Sequence, residues 1–460
     1  MNTPETLAPG SGAFGFSSQK DLEDLNKALA VDYSQPPTEG ASALRAYSID
    51  GTLRSVTYTQ KHIKMWARTT KVKAYSTVEE YVKLRNYGNP RSGAFVDAGA
   101  LPPSQDSAYS RENKNVKYVG TTRAVQHQAT VIETVVVDDL VAQEQINGTI
   151  YLLGVIEQSL FDGDSSIIAQ EWDGIFGEIE KEYNSDKSSG IVIDLQGKDI
   201  TKYDLTKASN VILNNFGIPN LAYCDLDTMG RINALFYENQ FINNNANQAI
   251  TGGVAAGSFN YLPKQSFDYE PDVFLRPNET PLAVASAEKA PDAPTITTSA
   301  TTATAANGDS HFATATSATY VVVAVNKYGE SVGSAEKTVA IEAGGFATVT
   351  ITKTGGKEVS GFKIYRSDVK GQTPTFVKRI KAEASGNTVF TDKNFDIPGT
   401  GRLLLMYDDI TNNCFKQLVP FIKIPLAIVD ASIRWMQLLY GTPIFPTLRK
   451  NVVIKNIKLQ

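Results

Sequence analysis

The block from Pro291 to Gly401 differs in composition from everything around it. It is rich in Thr, Ala, Ser and Gly, and its apolar residues come in strand-length runs such as ATYVVVAVNKYGESVGS and VSGFKIYRS. Short strands separated by Gly, Asn and Ser turns, with no competing helical period, read as a β-sandwich. The text before the block mixes helix and strand, and Leu403 to Gln460 returns to that style. Sandwich termini lie close together, so such a module fits into a host loop with little disturbance. The host is therefore expected to be one α+β domain whose two halves pack together across the insertion.

At 460 residues the chain has room for two to four domains, each with its own core. Apolar and charged fractions of 42% and 20% are those of a soluble globular protein. A net charge of −5 and a pI near 5.5 exclude a nucleic-acid-coating role, which needs a basic face. The two cysteines, Cys224 and Cys414, cannot build a disulfide framework and lack metal-ligand spacing. The start, MNTPETLAPGSGAFGF, has neither the basic end nor the apolar run of a signal peptide. No apolar stretch reaches the roughly 18–20 residues of a membrane span. The expectation is a soluble cytoplasmic chain with no membrane partner.

Residues 1–45 have the composition of an arm, and 46–75 alternate like strands in TLRSVTYT and IKMWARTTKVKAYS. Thr77 with Glu80 forms a capping-box pattern, which predicts a short helix over TVEEYVKLRNYG. Residues 86–120 are punctuated by Gly, Pro, Ser and Asn and read as a protruding hairpin or loop, with GAFV and NVKYVG as strands. Asp138 or Asp139 caps a long helix whose stripe is Leu140, Ile146, Ile150, Leu153, Ile156 and Leu160, ending at Phe161-Asp162-Gly163. Next come a helix, DLTKASNVILNNFG, closed by Gly217, the strand LAYC, and a helix over TMGRINALFYENQ capped by Asp225 or Asp227. FINNNANQAITGGVAAGSFN reads as an exposed loop, and FNYLP and DVFL as strands. Past the inserted block, LLLMYD is a strand and LAIVDASIRWMQLLY a buried helix on which Asp430 and Arg434 pair. The final NVVIKNIKLQ is a strand that must pair back into an earlier sheet.

No enzymatic constellation emerges. Gly10, Gly12 and Gly15 spell G-x-G-x-x-G, but without the preceding strand that a dinucleotide site needs. The tract Gly252 to Ser258 has no P-loop lysine. His62, His127 and His311 lie in separate segments. Glu171, Asp173 and Glu178 offer carboxylates for glycosidase chemistry, yet no spacing singles out an acid and a base. Asp162 and Asp164 fall far short of a calcium loop, and Trp66, Trp172 and Trp435 read as core. The expectation is no catalytic residue, no cofactor and no metal. The hairpin region carries Arg85, Arg91, Arg111, Lys114 and Lys117, read either as a solvated face or as contacts to acidic surfaces of neighbouring subunits.

The order of arm, hairpin, long helix, α/β region and returning strand resembles the major capsid protein of tailed bacteriophages, the HK97-type fold. Pro425-Leu426, Ala431-Ser432, Tyr440-Gly441, Pro443 and Ile454-Lys455-Asn456 resemble the closing pattern of Twort-like large myophage capsid proteins. YVKLRNYGNPRSGAFVDAGALPPSQDSAYSRENKNVKYV is similar to that group's extended loop, and FDGDSS and EWDGIFGEIE to its spine-helix exit. Val322-x-Ala324-x-Asn326-x-x-Gly329-x-Ser331 and Gly361 to Arg366 resemble fibronectin-type strands, in reversed order. The resemblance implies an α+β fold divided into an N-terminal arm (1–45), a peripheral lead-in (46–75), an extended loop (76–125) and a peripheral domain with spine helix (126–185). It continues with an axial domain (186–285 and 403–445), an inserted Ig-like sandwich (286–402) and a C-terminal peripheral strand (446–460). It implies a non-enzymatic shell subunit that self-assembles into hexamers and pentamers of an icosahedral head, made in the bacterial cytoplasm and resident in the virion. The sandwich would face outward. Scaffolding, portal and decoration proteins are the implied partners, with packaged double-stranded DNA touched only weakly. The competing expectation is a surface, tail or adhesin-like protein that binds glycan or cell wall through the sandwich.

Overall fold

The computed structural model describes residues 56–88, 94–132, 139–237, 258–262, 265–276, 278–301, 309–369, 371–427 and 430–459. The expected arm over 1–45, the tract Gly252 to Ser258 through Gly257, and Arg91 lie outside them. After a helical turn at Met65–Arg68 come β1 (Thr70–Lys73), β2 (Val78–Asn86), β3 (Ala108–Asn115) and β4 (Lys117–Gln126). Two helices follow, α1 (Leu140–Asp162) and α2 (Ile175–Ser185). The chain then alternates through β5 (Val192–Asp194), α3 (Lys202–Asn214), β6 (Leu221–Cys224) and α4 (Leu226–Tyr237) to the hairpin β7 (Ser258–Leu262) and β8 (Gln265–Pro271). The insertion holds β9 (Thr295–Thr301), β10 (Thr316–Asn326), β11 (Gly329–Glu330), β12 (Lys337–Ile341), β13 (Phe346–Thr352), β14 (Gly361–Ser367), β15 (Thr375–Lys381) and β16 (Thr388–Asp392). The host resumes with β17 (Gly401–Met406), β18 (Cys414–Pro425), β19 (Ser432–Ile444) and β20 (Asn451–Ile457).

Helix α1 forms where its sequence signals it. The Asp139 carboxylate accepts from the backbone N–H groups of Val141 and Ala142, and the helix stops at Gly163. Its 23 residues span roughly 35 Å. Leu153, Ile156 and Leu160 of the expected stripe are buried, whereas Ile146 is exposed because only the C-terminal half of the helix is enclosed. On the same helix the fully buried Glu157 carboxylate accepts from the N–H groups of Lys64, Met65 and Trp66. It thereby caps the Met65–Arg68 turn and ties the lead-in to α1.

The six-stranded sheet, ordered β5-β20-β17-β6-β8-β7, is covered on both faces. Leu221, Tyr223, Leu404, Met406 and Val453 face α1 and α2, while the alternate residues Ala222, Cys224, Leu403, Leu405, Val452 and Ile454 face α3 and α4. Asp225 caps α4 through Thr228 N. A second sheet, ordered β1-β18-β19-β4, packs on α1, with Phe415 and Leu439 joining the same core as Leu153 and Ile156.

The insertion leaves the six-stranded sheet after β8 and returns as β17, with only β6 between them. Pro271 and Leu403 both register with Cys224, so the two ends emerge at one edge, about two strand spacings or ~10 Å apart. The inserted strands form two sheets, β11-β10-β14-β15 with β12 on β10, and β16-β13-β9. Tyr320, Val322, Ala324, Val349, Ile351, Phe362 and Ile364 fill the space between them. The alternate residues of β10, Val321, Val323 and Val325, face outward against Ile167 and Ile168 of the loop after α1. β10 is thus buried on both faces, which accounts for its unbroken apolar run. Ion pairs complete the seam. Arg379 reaches Glu171 at 3.1 Å, Lys378 reaches Glu180 at 2.7 Å, and Lys363 lies 2.7 Å from both Glu279 and Glu330.

The structure corrects four expectations. TVEEYVKLRNYG is strand β2, because its real period is two; Glu79, read as helical, instead accepts from the N–H groups of Tyr75 and Ser76 at the strand's start. The stretch ending in SIRWMQLLY is β19, not a helix, with Trp435, Gln437 and Leu439 alternately buried and pairing with β4 from Ser432↔Gln126 to Gly441↔Lys117. Asp430 and Arg434 do pair, at the start of that strand. The C-terminal strand is β20, inside the six-stranded sheet between β5 and β17, where Val452, Val453, Ile454 and Ile457 are buried. β17 joins the same sheet, whereas β18 and β19 belong with β1 and β4. DVFL turns rather than extends, with the Asp272 carboxylate accepting from Phe274 N, and residues 94–96 of GAFV form no strand.

Candidate assembly interface

Among the described residues strands β2 and β3 pair only with each other, from Val78↔Asn115 to Asn86↔Ala108. An isolated two-stranded hairpin is marginal in water, so cover must come from elsewhere. Alternation divides its side chains between two faces. One carries Glu79, Tyr81 and Lys83 opposite Lys114, Glu112 and Ser110. There Tyr81 Oη donates to Glu112 at 2.9 Å and the Lys83 ammonium lies 2.6 Å from the same carboxylate. Burial, then the hydrogen bond to Glu112, raises the Tyr81 phenol above its usual range.

The other face carries Val78, Glu80, Val82 and Leu84 opposite Arg111 and Tyr109, and its apolar members Val78, Val82, Leu84 and Tyr109 are all exposed. The connecting residues add Tyr87, Phe95, Val96 and Leu101, with Phe95 fully exposed. A hairpin that turns its polar face to the body and its apolar face to solvent inverts the usual arrangement. A contiguous exposed apolar surface of this kind marks a protein contact.

The root of the hairpin is rigidly held. Val116 is buried and donates its N–H to Thr77 O at 2.9 Å, closing the pair of strands. The Lys114 ammonium sits 3.1 Å from Asp173 and 2.9 Å from Glu178, with Lys181 on the same two carboxylates. Burial opposes charge on Lys114, yet the two carboxylates raise its pKa. Burial also works against the Asp173 anion, but hydrogen bonds from Ser165 and the Lys114 charge hold its carboxyl below the usual range.

Of the five cations expected to contact neighbours, Arg91 lies outside the described residues and the other four separate. Lys114 anchors the hairpin to its own chain, and the Lys117 ammonium donates to Ala169 O at 2.5 Å. Arg85 donates to Ser110 Oγ at 3.0 Å and Arg111 pairs with Glu80 at 3.1 Å, both remaining exposed. The carboxylates weighed for hydrolysis are all engaged, Glu171 by Arg379 and Asp173 and Glu178 by Lys114. Among the described residues no helix is long and apolar enough to cross a membrane, and no group of three or more His, Cys, Asp or Glu side chains is placed to hold a metal ion. The apolar face was missed in the sequence because a helical reading of 77–87 hid its alternation. Val78, Val82 and Leu84 at even positions against Glu79, Lys83 and Arg85 at odd ones were the available signal.

A shell-forming subunit is the class that this architecture suits, and comparison with known proteins gives the particular relatives. No family model matches. The chain is similar to the major capsid protein of Staphylococcus phage S25-3, 24% identical over 460 residues and 95% of each chain. It is equally similar to that of Staphylococcus phage K, and 24% identical over 467 residues to the putative major capsid protein of Enterococcus phage phiEF24C. Coverage of 95% leaves no room for the sandwich to lie outside the match. Among solved structures, the capsid protein of a native GTA particle matches at a TM-score of 0.46 with 6% identity, over 91% of this chain and 99% of that one. A chain from Microbacterium phage Oxtober96 matches at 0.45 with 10% identity, over 90% and 97%. The similarity to phage major capsid proteins thus covers 95% of the chain.

Proposed function

We propose that this chain is the structural subunit of an icosahedral phage head. Copies associate with one another as hexamers and pentamers, and the apolar face of the β2–β3 hairpin lies over a neighbouring copy. The full-length similarity to major capsid proteins carries the reading. The hairpin supports it, since its Val82, Leu84 and Tyr109 are left exposed by the described residues, as a face that a neighbouring copy covers would be. The sandwich lies on the outer surface. Scaffolding, portal and decoration proteins are partners of such a shell, and its net charge of −5 confines double-stranded DNA without gripping it. The rival binding-protein reading put function in the sandwich alone, whereas the similarity runs through the host as well.

The test is sedimentation velocity and negative-stain microscopy of the purified full-length chain, alone and with its phage's scaffolding protein. Rings or closed shells are expected. A monomer under every condition overturns the proposal.

A further inference from the structure

A cleft of about 630 Å³ separates α1 from the inserted sandwich. Tyr118, Tyr151 and Val155 form its host wall, Tyr328 its sandwich wall and Leu282 of the linker one end, and all five are exposed. Five cations and four carboxylates also line it. Most of them pair with each other: Arg402 with Asp162, Arg379 with Glu171, and Lys363 with Glu279 and Glu330. Arg276 and Lys327 form no ion pair among the described residues and lie instead over the rings of Phe274 and Tyr328, at 5.8 Å and 5.1 Å. The buried Nε1–H of Trp172 and Nε–H of Arg379 have no acceptor. The cleft thus offers aromatic surface, spare positive charge and spare donors, and an unmatched buried donor is costly.

The loop that leads into β3 has the complementary composition. Every residue from 94 to 107 is exposed, Phe95 wholly and Leu101 nearly so. Its charges are Asp97 and Asp106, with no cation. A turn, closed by Ala100 N–H donating to Asp97 O at 3.0 Å, separates Phe95 from Leu101. Pro102 and Pro103 follow, and each supplies a carbonyl acceptor with no N–H to satisfy. The loop is apolar, anionic and rich in acceptors, which matches the cleft term by term. Nothing among the described residues of its own chain covers Phe95 or Leu101, so the cleft that receives them is that of a second copy.

We infer that the 94–107 loop of a neighbouring copy seats in this cleft, with Phe95 and Leu101 against the tyrosines and Asp97 and Asp106 beside Arg276 and Lys327. The inserted sandwich then forms one jaw of a clamp between subunits. The inference rests on the assembly proposal and names the surface that receives the end of the hairpin.

Single added cysteines in the full-length chain test it, with the buried Cys224 and Cys414 left in place. Chains carrying Phe95→Cys are assembled with chains carrying Tyr328→Cys, and separately Leu101→Cys with Tyr151→Cys, and the particles are mildly oxidised. Non-reducing gels and peptide mass spectrometry identify mixed dimers. The control partner for Phe95→Cys is Lys207→Cys, an exposed position on α3, beyond the far face of the six-stranded sheet. Mixed dimers from either pair, at least tenfold above the control, are expected. Arg276→Glu with Lys327→Glu alters two exposed side chains, and should cut those dimers at least fivefold while leaving the melting temperature of the chain unchanged. Intact particles without mixed dimers in either pair, or dimers indifferent to the charge reversal, overturn the inference and leave the assembly proposal standing. Failure of the wild-type chain to form particles overturns the assembly proposal, and this inference with it.

Discussion

The β2–β3 hairpin and the inserted sandwich are both protrusions from the host, and they are built on opposite principles. The sandwich closes its own core between two sheets and buries the outward side chains of β10 against Ile167 and Ile168. The hairpin has one sheet of two strands, a charged inner face and an apolar outer face. What the sandwich finds within its own chain, the hairpin lacks. A segment complete in itself can be an accessory. A segment that is incomplete, yet held at its root by Lys114, Asp173 and Glu178, is prepared for a partner.

The strongest way to break this contrast is to open the sandwich core. Arg366 is fully buried and lies 2.6 Å from the nearly buried Asp392, which also accepts from Tyr320 Oη at 2.7 Å. Arg366→Ala strands a buried carboxylate, a loss of about 3–5 kcal/mol. Hydrogen exchange should show β10, β13 and β14 opening while β2 and β3 keep their native rates; equal loosening of both regions would contradict their independence.

Next in size is the hairpin's root. Lys114→Ala leaves Asp173 and Glu178 to share the more exposed Lys181, a loss of about 1.5–3 kcal/mol. Exchange should accelerate over 78–115 and stay unchanged over 316–326.

A pH-dependent effect comes from a buried carboxyl in the host. The Asp272 carboxyl is pushed up to about 8, first by burial and then by the adjoining Glu157. Below pH ~4 both folded and unfolded chains hold its proton, and the stabilisation is complete. Between there and pH 8 only the folded chain holds it, so stability falls as pH rises, by at most about 1.4 kcal/mol per pH unit, and levels off above. Thermal melts from pH 5 to 9 should show the wild type losing ground to Asp272→Asn up to pH 8 and no further. A constant difference would remove the assignment.

Local signals were legible where one residue and its neighbours decide the outcome. Asp139 at the start of α1, Leu153, Ile156 and Leu160 along it, and the unbroken run of β10 were all readable. The misreadings arose where two periods fit the same letters. Thr77 with Glu80 satisfies a capping box while the alternation of Val78, Val82 and Leu84 satisfies a strand. Asp430 and Arg434 stand four apart in either structure. Part of the sheet pairing was not local: β1 pairs with β18 and β5 with β20 across more than two hundred positions. The docking of the sandwich was equally hidden, since Ile167 and Ile168 meet Val321 and Val323 only in the fold. It makes the module a buttressed part of the subunit rather than a loose ornament.

The smallest effect on the monomer bears the most weight. Val82→Asp with Leu84→Asp alters two exposed side chains, so the monomer's unfolding midpoint should shift by less than about 0.5 kcal/mol. Sedimentation velocity under assembly conditions is the decisive readout. The account predicts that the wild type forms large closed particles and the double variant stays as small, folded species. Particles of normal size and yield from the variant would contradict it.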